Sequence, residues 1–448
     1  MPRENIVAVI DKGGRGAVLA SKYLQSPDVD RIIAIPGNDM MAQGKEKPVE
    51  TYPMLRTTDV NEIADLCRSR NVALADVSSS KAVRAGLADA LRANGVATVG
   101  PGMRAGEIEW SKAFAREFGK RHMIPQPEFY IAVGIPPAMR YVDTRAFRPL
   151  FIKADGLMGG SGSIGALTIE EARIAIKKLG GTKSPLHKKV VIEEWLTGDG
   201  MITGEEFSAF AMSDGRDVQL LGFAQDYNKA ESGERGSNTG GMGASTPHSA
   251  ITPAIEEYTT ILFDRAIRCL KKEGRKYNGV LYMGGMLVHK DGELRLYVLE
   301  WNARWGEPEA QVVVPGIIDD YFRLNMGVAR GEITSHRIAN DGKARVAVTA
   351  AARGYPEDYS KAIGKEIVGL DRAAKVDGVT IFGAGVKIEN GRYYANGGRL
   401  FYVVAEDWNT NGARERAYAA MSEIQVEDNN LHFRDDIGMP HMDRILRH

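Results

Sequence analysis

Along the first hundred residues the apolar positions switch between two periods. Short apolar runs at 6–10, 31–35, 72–77 and 96–99 are closed by Asp11, Pro36, Ser78 and Gly100, the pattern of short buried strands. Between them apolar residues recur every three or four positions. Ala17, Leu19, Ala20 and Leu24 mark one helix, and Ile63, Leu66 and Cys67 mark a second. Asp59 stands at the N-cap position of the second, with Glu62 three residues on. Val83, Leu87 and Leu91 mark a third helix, which stops at Gly95. Repeated strand–helix–strand units predict a parallel sheet covered by helices, an α/β arrangement.

From about residue 104 the pattern changes. Short strands are interrupted by glycine-dense stretches at 156–166 and 236–244. Thr168 and Glu171 form a capping box ahead of Ala172, Ile174, Ala175 and Leu179. Asp291-Gly292 turns one strand back into the next. Beyond about residue 336 the chain is strand-rich again, with Asn390-Gly391 as a second hairpin turn.

Composition narrows the function without naming it. Lys plus Arg and Asp plus Glu both number 58, so the 448-residue chain is formally neutral. That balance advertises neither nucleic acid nor an anionic membrane as a partner. No apolar run approaches the roughly 18 residues that span a bilayer, and the opening residues lack a secretory pattern. The expected compartment is the cytoplasm. Cys67 and Cys269 lie in helical patterns with no Cys or His at metal-ligand spacing, so they read as small buried hydrophobes.

Four segments carry candidate chemistry. After the first strand, Gly14 and Gly16 give only G-x-G-x-x-L, and the second strand ends at Pro36 rather than at a ribose-binding acid. A nicotinamide cofactor is therefore disfavoured. What remains is a tight strand-to-helix turn or an anion site at the helix N-terminus. In the second segment an apolar strand delivers Lys153 to a loop containing Gly156, Gly159, Gly160, Ser161 and Gly162. Such a loop brings backbone N–H groups to phosphate oxygens, or it is a plain hairpin tip. In the third, residues 190–196 form a strand ending in Glu193 and Glu194, suited to an adenine edge or to an ordinary strand end. In the fourth, Glu300, Asn302 and Arg304 alternate along a strand and so share a face. A carboxylate beside an amide oxygen suits Mg2+, and the arginine suits a phosphate or carboxylate. A solvated strand face is the bland alternative, disfavoured by Trp301 and Trp305.

Taken in order, these pieces resemble the phosphoribosylamine–glycine ligase family of the ATP-grasp superfamily. The matching segments include GGR at 13–15, PGN at 36–38, SKAFA at 111–115, KADG at 153–156 and VIEEWL at 191–196. They continue with GEEFS at 204–208, AQD at 224–226, NTGGMGA at 238–244, GVLY at 279–282, LEWNARWGEPEAQVV at 299–313, GYP at 354–356, NGGRL at 396–400 and DIG at 436–438. The resemblance implies an α/β protein of ATP-grasp fold. A biotin-carboxylase-like N-terminal domain would span 1–103. An ATP-grasp domain would span 104–335, with a small mobile lobe near 120–197, and a β-rich C-terminal domain would span 336–448. It implies an ADP-forming ligase that makes an acyl phosphate and passes it to an amine. ATP and Mg2+, or Mn2+ in its place, would be the cofactors. The partners would be a small amino acid and an amine, on a monomer or homodimer.

The resemblance also assigns roles. Lys112, Lys153, Gly159, Gly160, Ser161 and Gly162 would contact the ATP phosphates. Glu193, Glu194 and Leu196 would read adenine, and Glu206 would hold the ribose. Glu300 and Asn302 would hold the metal, and Arg304 and Lys153 would act in catalysis. Gly14, Arg15, Pro36, Gly37 and Asn38 would receive the amine. Asp226, Asn238, Thr239, Gly240, Gly241, Met242 and Arg304 would border the carboxylate, with 238–244 as a loop.

The departures gather at the amine end. The family's G-G-R-E-H is here Gly13-Gly14-Arg15-Gly16-Ala17, and its G-P-E-x-P-L is Ser78-Ser79-Ser80-Lys81-Ala82-Val83. A phosphate-loop lysine is Ser161, and Q-D-H-K is Gln225-Asp226-Tyr227-Asn228. These changes imply that phosphoribosylamine is a poor substrate and another amine a better one. A regulatory nucleotide-binding paralogue without activity is the alternative reading, supported by Ser161.

Overall fold

A computed structural model describes residues 4–44, 46–144, 146–157, 162–180, 188–199, 204–333 and 337–439. The N-terminal third opens with a five-stranded parallel sheet. Its order is Val49–Thr51, Arg31–Ala34, Ile6–Val9, Leu74–Asp76 and Thr98–Val99. The four apolar runs are its strands, and Val49–Thr51 is an edge strand whose half-buried Val-Glu-Thr carries too little pattern to be read. The helix expected through Val83 and Leu91 is two helices, Ser80–Arg84 and Leu87–Ala93. Gly86, at φ 82°, breaks the chain between them. Asp59 does not cap with its side chain. Its carboxylate instead accepts from the Arg56 backbone N–H and guanidinium, both at 2.9 Å.

The second unit is a four-stranded antiparallel sheet, Phe129–Val133, Lys189–Glu194, Leu150–Ala154 and Ser163–Ala166, backed by the helices Ile135–Thr144 and Ile169–Gly180. It has its own core around Ile152, Ala172, Ile176 and Ile192. The capping box forms in part. The Glu171 N–H donates to Thr168 Oγ1 at 3.2 Å, while the Glu171 carboxylate reaches back to the Leu167 N–H at 2.7 Å.

A long antiparallel sheet makes the body. It runs Glu293–Asn302, Asn278–Lys290, Glu205–Asp214, Val218–Glu231, Arg235–Thr246, Ala344–Ala352, Arg399–Asp407 and Val379–Gly383, with Leu431–His432 paired to Ala344–Ala352. The Asp291-Gly292 and Asn390-Gly391 turns join the strands expected, with Asp291 at φ 58° and Asn390 at φ 49°. The glycine-dense segment 238–244 is not a loop. It lies inside the strand Arg235–Thr246, where Asn238, Gly243 and Ala244 pair with Val218–Glu231, and Gly243 and Ala244 pair with Ala344–Ala352 as well. Glycine there serves close packing: a Cβ on Gly241 would lie 2.7 Å from the Glu307 carbonyl oxygen and 2.5 Å from Pro308. One apolar core runs from Val9 and Tyr23 through Phe210 and Trp305 to Tyr402, fixing the N-terminal sheet against the body.

Candidate active site

These units enclose a cleft of about 1050 Å³, walled by the N-terminal sheet, the small sheet, the ends of the body strands and the loops near Ala384 and Asn396. Nearest the small sheet lies a buried charge cluster. Glu193, 2% exposed, accepts from Arg116 Nε at 2.7 Å and Nη2 at 2.8 Å, and from Lys153 Nζ at 2.7 Å. Burial favours the neutral carboxyl, but the two cations outweigh it and hold Glu193 down at about 2. Arg116 also donates to the carbonyls of Val298 and Leu299, tying the small sheet to the body. Lys112 donates to the Gly156 carbonyl at 3.2 Å. Burial lowers the Lys112 ammonium below its ordinary range, and Lys153 adds like-charge repulsion against the attraction of Glu300.

A chain of hydrogen bonds crosses the cleft from there. Asn302 Nδ2 donates to Glu300 Oε1 at 2.9 Å, and Arg304 Nη2 to Asn302 Oδ1 at 3.0 Å. Arg304 Nε reaches both Ser80 Oγ and Glu109 Oε1 at 3.0 Å, and Ser80 Oγ donates to Glu109 at 2.6 Å. The alternation along 300–304 therefore does bring these side chains together, although the strand itself ends at Asn302. A carboxylate does stand beside Ser80 after all. It is Glu109, from the helix Met103–Trp110.

At the N-terminal wall the anion-site expectation is corrected. The first N–H groups of the helix Gly14–Leu24 face a carboxylate of the protein itself, with the Arg15 N–H donating to Glu307 Oε1 at 3.0 Å. The Arg15 guanidinium donates to Asp11 and to the Trp305 carbonyl. Gly14 lies behind the wall, against Tyr402 and Gln311. Arg399 donates to the carbonyls of Gly240 and Glu307 and pairs with the Glu307 carboxylate at 3.4 Å. Burial opposes ionisation of Glu307, yet Arg399 and Arg15 hold it below the usual carboxylate range. Pro36, Gly37 and Asn38 line the cleft, with Asn38 Nδ2 donating to the carbonyls of Lys12 and Gly383.

On the body strands Asp226, Thr239 and Gly240 face the cleft, as does Glu309. Desolvation, then repulsion from Glu309 and Glu206, pushes Asp226 well up, and burial raises Glu309. Neither carboxyl has a salt-bridge partner among the described residues. Glu206 reaches water, yet desolvation by the surrounding walls, then Glu234 and Glu300, raise it.

Some residues expected at the site lie off the cleft wall. The Glu194 carboxylate turns to the Glu128 N–H, Leu196 packs on Met286 and Val288, and Met242 is in the core. Asn238 Nδ2 bridges to the Ser163 carbonyl at 3.4 Å, and Gly241 packs against Glu307 and Pro308. Gly159, Gly160 and Ser161 lie outside the described residues, whereas Gly162 lines the cleft. Arg116, Glu109, Glu307, Glu309 and Arg399 were not singled out in the sequence. Glu307, Glu309 and Arg399 sit inside the motif segments, where their charge was the available signal.

The chain matches the phosphoribosylglycinamide synthetase N domain over residues 5–109, the ATP-grasp (A) domain over 110–310 and the C domain over 345–440. Phosphoribosylamine–glycine ligase from Pasteurella multocida is 33% identical over 436 residues, 96% of this chain and 97% of that protein. The enzyme of that name from Salmonella typhimurium is 34% identical over 443 residues, covering 98% and 99%. The chain belongs to the phosphoribosylglycinamide synthetase family.

The fold agrees. The structure of phosphoribosylamine–glycine ligase from Thermotoga maritima superposes with a TM-score of 0.79 at 28% identity, over 96% of this chain and 99% of that one. The biotin carboxylase domain of Hydrogenobacter thermophilus 2-oxoglutarate carboxylase gives 0.69 at 17% identity, over 97% and 92%, a likeness of fold. Membership makes the chain an ATP-grasp ligase that forms C–N bonds. Nothing in these comparisons favours an inactive regulatory paralogue. Among the described residues no helix is long and apolar enough to cross a membrane.

Proposed function

We propose that the chain activates the carboxylate of glycine, or of a similarly small amino acid, with ATP and transfers the acyl group to an amine. The observation that carries this reading is the pair of lysines, Lys112 and Lys153, brought close enough to repel in one cleft with the strand-end carboxylate Glu300. Two half-buried or buried cations suit a polyphosphate, whose charge cancels their repulsion. The carboxylate oxygen would attack the γ-phosphorus, releasing ADP. The amine nitrogen would then attack the acyl carbon, releasing phosphate and a proton. Uncatalysed, a carboxylate is a poor electrophile, so positioning and charge neutralisation are the protein's share.

Residue roles follow from the contacts. Arg116 and Glu193 fix the Lys153 ammonium, so Glu193 acts on the phosphates through Lys153, and adenine reading falls to the backbone around Glu194 and Leu196. Glu206, open to water, suits the ribose hydroxyls. Glu300 and Asn302 fit Mg2+, or Mn2+ in its place. One Glu300 oxygen accepts from Asn302, which leaves the other for a cation, and the Asn302 oxygen keeps a lone pair beside the Arg304 contact. The ion would neutralise phosphate charge there. The raised carboxyls Asp226 and Glu309 suit the ammonium of the amino acid, which would restore their ionised forms.

A coupled ADP assay tests the reading across small amino acids and amines, phosphoribosylamine included. ADP release should require both an amino acid and an amine. ADP release indifferent to both would defeat it.

A further inference from the structure

Glu109 borders the cleft yet offers little to a ligand. Its side chain is 6% exposed, and both carboxylate oxygens are taken. Oε1 accepts from Arg304 Nε at 3.0 Å and from the Ser80 hydroxyl at 2.6 Å, and Oε2 accepts from the Ala303 N–H at 3.0 Å. Arg304 is its ion-pair partner among the described residues. One carboxylate thus holds the backbone of Ala303 and the side chain of Arg304, just past the end of the strand Glu293–Asn302. The helix that carries it, Met103–Trp110, is followed directly by Ser111 and the phosphate candidate Lys112.

The consequence falls on Arg304. A guanidinium has five N–H groups. Nε–H is shared by Glu109 and Ser80, one Nη1–H goes to the Trp305 carbonyl and one Nη2–H to Asn302 Oδ1, each at 3.0 Å. One N–H on each Nη is left without an acceptor among the described residues, on a side chain that lines the cleft. Such a pair suits two oxygens of one carboxyl or phosphoryl group. Ser80 completes the anchor at Nε. Its hydroxyl accepts from Arg304 and donates to Glu109, whereas a carboxylate at that position could only accept. Without Glu109 the long arginine side chain loses its anchor at Nε and regains rotamers that point the fork elsewhere.

We propose that Glu109 is a positioning residue of the ligase reaction: through Arg304 it aims the two remaining guanidinium N–H groups at the amino acid's carboxyl as that group becomes the acyl phosphate. Glu109 itself touches no substrate. The inference rests on the ligase reading above and adds a role within it. A reacting group misplaced by about 1 Å costs on the order of 100-fold in rate. The loss should therefore appear in kcat and leave the KM for ATP nearly unchanged, since the phosphate candidates Lys112 and Lys153 are held by other contacts.

Hydroxylamine reads the acyl phosphate without the natural amine: its nitrogen bonds to the acyl carbon, and phosphate leaves. Hydroxamate formation from glycine or alanine with ATP is measured for the wild type, Glu109→Gln, Arg304→Ala and the double variant. Glu109→Gln keeps the shape, but its NH2 group faces a donor, so part of the anchor is lost. It should lower kcat by about 100-fold, and Arg304→Ala by at least as much. The double variant should be no slower than Arg304→Ala alone, because Glu109 then has nothing to aim. If Glu109→Gln fails to fold by circular dichroism, Glu109→Asp carries the same cycle, since it keeps the charge but is too short to hold both Ala303 and Arg304. An unchanged kcat, or a rise in the KM for ATP that matches the fall in kcat, overturns the inference. So do losses that multiply in the double variant, the result expected of a carboxylate that only supports the fold. No hydroxamate from the wild type defeats the ligase reading and this inference with it, whereas hydroxamate with multiplied losses defeats this inference alone.

Discussion

Replacing Glu193 by Gln keeps the side chain's shape and removes its charge, so it isolates the ion cluster that joins the small sheet to the body. Glu193 is 2% exposed, so solvent screening discounts little. Its carboxyl is held at about 2, against an ordinary value of 4.5, because Arg116 and Lys153 outweigh the burial penalty. A depressed acid contributes stability that is fully present above the unfolded value and is lost as pH falls through the folded one. That difference corresponds to about 3 kcal/mol at pH 7 and about 1.4 kcal/mol at pH 3. Urea unfolding of wild type and Glu193→Gln should therefore differ by about 3 kcal/mol at pH 7, with the gap roughly halved at pH 3. ADP formation should fall as well, since Lys153 loses the partner that orients it. A gap below about 1 kcal/mol at pH 7, or one that stays constant down to pH 3, would refute the reasoning.

Three further outcomes are expected. Glu300→Ala should abolish ADP formation with the fold intact by circular dichroism, and Asn302→Ala should lose less; wild-type turnover by both at low Mg2+ would remove them from the metal site. Asp76 is buried against the Tyr23 hydroxyl and raised to about 7, chiefly by desolvation, so the protein should lose stability as pH rises from about 4 to 7. Asp76→Asn should flatten that slope and gain up to about 4 kcal/mol over wild type at pH 8, read by denaturant unfolding. Gly241→Ala should cost more than about 2 kcal/mol, because φ is 112° and the new methyl meets the Glu307 carbonyl; a neutral result by thermal unfolding would contradict that packing.

Local order in the sequence carried much of this structure. Four of the five N-terminal strands and both Xaa-Gly hairpins rest on patterns contained within a few residues, apolar runs closed by breakers and turns that need positive φ. The spacing of Glu300, Asn302 and Arg304 likewise brought three polar side chains to one side. What failed was decided between segments far apart in the chain. Glycines at 240–243 suggested a loop, yet they lie in a strand because Glu307, Pro308 and Ile437 press on it. The free N-terminus of the first helix suggested an anion site, yet Glu307, 292 positions from Arg15, fills it. Ser80 suggested the loss of an acid, yet Glu109 stands against its hydroxyl. None of these pairings has a local signature, since each depends on how one sheet seats against another.

The central claim is that the amino acid's carboxylate is phosphorylated before the amine attacks. Glycine labelled with 18O in both carboxylate oxygens tests it, with the enzyme, ATP, Mg2+ and an accepted amine, by mass analysis of the inorganic phosphate. The account predicts one 18O in the phosphate for every ADP released. Unlabelled phosphate accompanying ADP and amide formation would contradict it.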